Sequence, residues 1–166
     1  IVGLADGAQP MATDDGMLAL TFNGEIFNYV ELRDDLTSRG HRFRTTSDTE
    51  VLLTAFAEKG SACLADFNGD FAFAIHDAKN RRLVLARDRM GVRPLFYTQH
   101  EGALFFASEI GALLALPGMV AEIDPVALDQ IFTLWCPIPP RTAYRNIFEL
   151  PPGHLMIAEE GRQTVR

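Results

Sequence analysis

No apolar run in the sequence approaches the roughly 20 residues needed to span a bilayer, and no signal-peptide pattern opens it. Neither membrane insertion nor secretion is indicated, and the cytoplasm is the expected location. Cysteine is scarce. Cys63 and Cys136 are isolated thiols without CxxC spacing, and His41, His76, His100 and His154 do not cluster, so neither a disulfide framework nor a metal site is expected. Positive charge is also short: 15 Lys and Arg against 22 Asp and Glu give a formal charge of -7, with no basic stretch long enough to track phosphates. Nucleic acid is not an expected partner. The most basic run, Arg81-Arg82 to Arg93, is broken by Asp88 and by apolar residues at strand spacing, and reads as ion-paired strand ends. There is no internal repeat, low-complexity tract or interdomain linker. An initiator Met is lacking too: Ile1-Val2-Gly3-Leu4 starts part-way through a strand or at its exit, as in a piece of a longer chain.

What is present suits one folded, soluble domain with a sizeable core, since 48% of the residues are hydrophobic and 22% charged. Gly7 to Gly16 is loop, and Leu18 to Phe22 a strand. Tyr29, Leu32 and Leu36 form the apolar stripe of a helix running to about Ser38, with Gly40 as its C-terminal stop. His41 to Thr45 reads as a short extended piece. Ser47-Asp48-Thr49-Glu50 has the S-x-x-E form of a capping box opening a second helix, which ends at Gly60. From Phe71 the period becomes two, with Phe71, Phe73 and Ile75 on one face and Ala72 and Ala74 on the other, so this strand should be covered on both sides. Arg82–Arg87, Leu95–Thr98 and Leu104–Ala107 follow as strands, and the four in succession suggest an antiparallel meander. Glu109–Leu116 and Pro125–Leu134 read as helices, the second with Asp124 as N-cap, and His154–Ala158 as a last strand. The order predicts an α+β layered domain.

One stretch carries chemistry. Phe22-Asn23-Gly24-Glu25-Ile26-Phe27-Asn28 places a carboxamide, a glycine and a carboxylate where a strand leaves the core. Gly24 lets a ligand approach its N–H closely, and Asn23 offers a side-chain amide; two neutral donors side by side are what an oxyanion needs. Glu25 would hold something cationic beside them. The bland alternative is equally concrete: Asn-Gly is a common turn, and Asn28 with Glu31 reads as a helix cap. Asp48, in the first turn of its helix, either complements the helix dipole or presents a carboxylate to an amino group; nothing local decides.

Several segments in order carry a resemblance: Gly7-Ala8-Gln9-Pro10-Met11, Phe22 to Asn28, Ser47 to Val51, Asn68 to Ala74, Ala86 to Leu95, Phe106 to Glu109 and Leu150 to His154. Together they resemble the glutamine amidotransferase domain of asparagine synthetases, a class II, N-terminal-nucleophile hydrolase, over nearly the whole chain. The resemblance implies a four-layer αββα sandwich of two antiparallel sheets. It also implies that the chain is a single domain over residues 1–166, incomplete at its N-terminus, with strands missing there and the synthetase domain absent. Apolar surface beside Phe71 and Phe73 should then lie exposed and favour association, with a homo-oligomer possible.

Residue by residue, the resemblance makes Asn23 and Gly24 the oxyanion hole, and Glu25 and Asp48 the carboxylates that receive the α-amino group of L-glutamine. Ile1 and Val2 fall at the end of a strand that lines the glutamine. Arg87, Asp88 and Gly91 match a signature read as structural, and Met90 is placed near the route by which ammonia leaves. The family's nucleophile is a cysteine at the mature N-terminus, upstream of Ile1, as is the arginine that binds the glutamine carboxylate; neither Cys63 nor Cys136 takes that role. This chain alone is therefore expected to release no ammonia, the parent being an asparagine synthase (glutamine-hydrolysing). No cofactor is expected here, whereas ATP and Mg belong to the synthetase domain, which is also the expected partner. Two other functions stay open: a nucleophile-less structural domain of an ATP-dependent ligase of the β-lactam synthetase type, and an amidotransferase for another amidation. The form of the SDTE, FASE and LPPGH segments disfavours phosphoribosyl and hexosamine amidotransferases.

Overall fold

A computed structural model of the chain describes residues 7–166. The strands are β1 (Met11–Ala12), β2 (Leu18–Ile26), β3 (Gly69–Asp77), β4 (Arg82–Arg87), β5 (Phe96–His100), β6 (Ala103–Ala107), β7 (Phe148–Glu149), β8 (Leu155–Glu159) and β9 (Arg162–Val165). The helices are α1 (Tyr29–Ser38), α2 (Asp48–Lys59), α3 (Ile110–Leu114) and α4 (Pro125–Leu134), with a 3-10 turn over Gly60–Ala65. Six strands form one antiparallel sheet in the order β1-β2-β3-β4-β8-β9, and three form another in the order β6-β5-β7.

The alternation along β3 builds the layers. Phe71, Phe73 and Ile75 enter a core with Leu20, Ile26 and the apolar stripe of α2, while Ala72 and Ala74 pack with Leu85, Leu95, Leu150 and Met156 on the opposite face, where Tyr97, Leu104 and Phe106 of the small sheet meet them. Helices α1 and α2 thus cover one face of the large sheet, the small sheet covers the other, and α3 packs on β5 and β6. This is the expected αββα sandwich. Phe71 and Phe73 are not exposed as expected. They are 5% and 1% accessible, because α2 and the 3-10 turn lie over them.

The four strands from β3 to β6 are not one meander. Each hairpin forms as read, but β3–β4 belongs to the large sheet and β5–β6 to the small one. The Asp88–Leu95 connection switches sheets, and Asp88 organises it. Its carboxylate accepts N–H groups from Phe71, Met90, Val92 and Arg93, at 2.9–3.2 Å. Burial pushes the Asp88 pKa up, but those four donors outweigh it and hold the group below the usual carboxylate range. Buried Arg87 binds Glu149 at 2.6 Å and the carbonyls of Gly91, Arg93 and Leu150, fixing the same turn from the other side. The expectation of ion-paired strand ends is met here and at Arg82–Asp77.

Two caps differ from the expected form. Ser47 does accept the Thr49 N–H, but Glu50 does not reach back to Ser47; it accepts the N–H groups of Arg44 and Thr45 and the Thr45 hydroxyl, tying the 41–46 segment to α2. That segment is consequently bound to a side chain and forms no strand. Asn28 begins α1 without capping it. Its amide instead donates to the Asp66 carbonyl and accepts the Asn68 N–H, closing the end of β2 onto the start of β3.

Candidate functional site

The Asn-Gly-Glu stretch is strand rather than turn: β2 continues through it, pairing Asn23 with Ala72, Gly24 with Phe71 and Glu25 with Asp70. Two glycines make this possible. A Cβ on Gly24 would stand 2.0 Å from the Asp70 carbonyl oxygen, and one on Gly69 would stand 2.3 Å from that of Glu25. At Gly24 φ is 147°, a value that side-chain-bearing residues rarely adopt.

The β1–β2 pairing ends at Met11–Leu20, and because the two strands are antiparallel it is the chain before Met11 that faces Phe22–Ile26; no strand of the described residues pairs with that outer edge. Side chains supply its bonds. Phe22 donates its N–H to Gln9 Oε1 at 2.6 Å, and Ile26 donates its N–H to Asp48 Oδ2 at 3.0 Å. Backbone alternation turns the Gly24 N–H toward the same edge, between those two. No described residue accepts from it. The Asn23 side chain is exposed on the face shared with Ala72 and Ala74, and forms no hydrogen bond with a described residue. It lines a cleft of about 240 Å³ between the sheets, with Gln9, Thr21, Leu95, Phe106 and Ser108 among its other walls. Two neutral donors, one backbone and one side-chain, therefore stand uncommitted at neighbouring positions of a rigid strand.

Glu25 lies close enough to Asp48 for its charge to act on that carboxylate. Asp48, the first residue of α2, is 3% exposed. Burial raises its pKa; the N–H groups of Ile26 and Thr49 offset part of that rise, and the charge of Glu25 adds to it. Neither acid pairs with a basic side chain among the described residues.

Ile1 and Val2 lie outside the described residues. Met90 is 80% exposed at the tip of the Asp88 turn, away from the cleft walls. The role of Asp88 is legible in the sequence only as a signature match, and that of Gln9 only as part of GAQPM.

The family model for the glutamine amidotransferase domain matches residues 1–166. The chain belongs to that family. Among the most similar curated proteins, an asparagine synthetase [glutamine-hydrolyzing] of Bacillus subtilis is 43% identical over 159 residues, covering 94% of this chain and 26% of that protein. A probable asparagine synthetase [glutamine-hydrolyzing] of Schizosaccharomyces pombe is 41% identical, covering 100% of this chain and 25% of its own length. The domain thus spans about a quarter of the curated relatives it matches. A solved glutamine phosphoribosylpyrophosphate amidotransferase from B. subtilis superposes with a TM-score of 0.66 at 23% identity, over 96% of this chain and 31% of that one, and shows the shared amidotransferase fold.

The two thiols of the amidotransferase domain sit apart from this site. Cys63 is fully buried in the 3-10 turn, where burial, with the charge of Asp66 adding to it, pushes its pKa up to about 12; Cys136 is exposed after α4. A buried thiol held protonated is a poor nucleophile. In the native domain, iodoacetamide should label Cys136 and spare Cys63. In the full-length protein, neither Cys63→Ala nor Cys136→Ala should change glutamine hydrolysis by more than twofold; a larger loss with an unchanged melt would reassign the nucleophile. Among the described residues no cluster of His, Cys, Asp and Glu suits a metal ion, and no helix is long and apolar enough to cross a membrane.

Proposed function

We propose that the domain hydrolyses the side-chain amide of L-glutamine and supplies the ammonia to asparagine synthesis in a larger cytoplasmic protein. The supporting observation is the arrangement at the end of β2: uncommitted donors at Asn23 and Gly24, and beside them the carboxylates of Glu25 on the strand and Asp48 at the start of α2, neither paired with a basic side chain among the described residues. The nucleophilic thiol comes from a cysteine N-terminal to Ile1. Its attack on the amide carbonyl forms a tetrahedral oxyanion, which accepts the Asn23 side-chain N–H and the Gly24 backbone N–H. Collapse expels ammonia and leaves a thioester, which water hydrolyses to glutamate. Glu25 and Asp48 hold the α-ammonium throughout. ATP and Mg act in the synthetase part, the partner that receives the ammonia. A structural domain that never binds a cation has no use for an unpaired Glu25–Asp48 couple, and this favours the catalytic reading over the nucleophile-less one.

Asp48→Asn tests the reading. The variant keeps an oxygen for the Ile26 N–H but not the charge, so the KM for glutamine should rise while kcat stays within a few-fold, and ammonia-dependent synthesis should be unchanged. The stability effect has the opposite sign to that of most lost carboxylates. Asp48's folded pKa is raised, so the folded state binds more protons than the unfolded one between the two values, and stability falls as pH rises through that window. Its charge therefore costs stability at neutral pH, and the Asn variant should melt no lower than the parent. By the same titration, KM for glutamine should rise as pH falls toward the raised value, a dependence the Asn variant should lose. An unchanged KM in Asp48→Asn would remove the carboxylate from the site.

A further inference from the structure

The edge of β2 at Phe22 points to a residue that neither the motif match nor the relatives assign. We infer that Gln9 is a positioning residue of the acyl-transfer site: its side-chain carbonyl fixes the edge of β2 at Phe22 and so holds the Gly24 N–H and the Asn23 amide in place. This rests on the oxyanion reading of those two groups given above.

The atoms support it in three steps. A backbone N–H can only donate, so the group 2.6 Å from the Phe22 nitrogen is the carbonyl of the Gln9 amide, and the orientation of that amide is fixed. Next, the β1–β2 ladder of the described residues ends at the Met11–Leu20 pair, and at Phe22, two residues further along β2, it is the side chain of Gln9 rather than its backbone that accepts the edge N–H. Finally, the edge N–H groups alternate along β2, and Gln9 and Asp48 occupy the two that flank Gly24. Gln9 therefore holds one side of the donor as Asp48 holds the other. It also lines the cleft beside Asn23, so loss of its bond would free the strand at the residue just before the two donors. Such a segment, free to bend at Phe22, would misplace both donors together, and a displacement of about 1 Å at a reacting centre costs on the order of 10²-fold in rate.

The test uses the full-length protein with glutamine and ammonia as alternative nitrogen sources. Gln9→Met keeps length and volume and removes the acceptor; Gln9→Glu keeps an acceptor. In Gln9→Met the glutamine-dependent kcat should fall about tenfold or more, with KM within about twofold and the ammonia-dependent rate unchanged. Exchange of the Phe22 amide should become faster in Gln9→Met and stay slow in Gln9→Glu. Because Gln9 acts through the donors, the double variant Gln9→Met/Asn23→Ala should lose clearly less than the product of the single losses. Full multiplicativity would overturn the inference. So would a kcat within twofold of the parent in Gln9→Met despite a freed Phe22 amide, or parallel loss of both activities with a lowered melt, which would mark Gln9 as merely structural. If Asn23→Ala alone leaves glutamine hydrolysis intact, the oxyanion reading itself fails; if Asn23→Ala is impaired and Gln9→Met is not, only the role of Gln9 fails.

Discussion

Asn23→Ala in the full-length protein should lower the glutamine-dependent kcat by roughly 10²–10³, the loss of one oxyanion donor being worth about 2.7–4 kcal/mol in the transition state. KM should change much less, since the developing negative charge exists only during reaction. The fold should be indifferent. The Asn23 side chain is exposed and bonded to no described residue, and surface changes of that kind stay within about 0.5 kcal/mol. Asn23→Asp sharpens the comparison: it is isosteric but would oppose an oxyanion with a like charge, so it should be at least as impaired as alanine. Ammonia-dependent synthesis should survive both variants, because free ammonia bypasses the amide-cleaving site. A turn or cap residue would behave in the opposite way, losing both activities together with thermal stability, and that result would overturn the assignment.

This separation is possible because the site is built from neighbours in sequence. Asn23, Gly24 and Glu25 are consecutive, so their joint chemistry is legible from the residues alone. The extent of their strand is not. Asn, Gly and Glu are poor strand formers, and the pattern alone ends the strand at Phe22; the backbone continues to Ile26 because Gly24 and Gly69 let β2 and β3 approach where side chains would collide. Asp48 lies 22 residues beyond Ile26, and only the packing of α2 on β2 brings its carboxylate to that N–H.

The same distinction explains the sheets. Period-two patterns announce β3, β4, β5 and β6, and the two-residue turn at Glu101-Gly102, with both φ values positive, suits a tight hairpin. Periodicity carries no information on which sheet a hairpin joins. That is decided by the Asp88 turn, whose four backbone bonds to one carboxylate look in sequence like any Arg-Asp pair. Strands of two residues, β1 and β7, are too short for any periodic signal. α4 is legible from its Asp124-Pro125 start, and the bond from the Val126 N–H to Asp124 confirms it.

Gly24→Ala should be the most damaging single change to the site, through geometry rather than lost chemistry. The new methyl would begin 2.0 Å from the Asp70 carbonyl oxygen and 2.7 Å from the Phe71 Cα, both backbone atoms that no rotamer change can move. Its φ of 147° adds a conformational penalty. Overpacking and an unfavourable φ each cost about 1–3 kcal/mol, so a combined loss of roughly 2–5 kcal/mol is expected. In a domain of this size that corresponds to a fall in Tm of about 5–15 °C. Well below the new Tm, glutamine hydrolysis should still be reduced by about 10² or more, because β2 and β3 must separate at the residue that presents the edge N–H. Two other glycines separate the causes. Gly69→Ala meets the Glu25 carbonyl oxygen at 2.3 Å without an unusual φ, so it should reproduce the steric part and displace the same strand from the opposite side. Gly16→Ala has a φ of +68° and no atom within 4 Å, so it should pay only the backbone term, about 1–2 kcal/mol, and leave glutamine hydrolysis unchanged. If Gly24→Ala melted like Gly16→Ala and kept its rate, the close strand contact would not be what positions the donor.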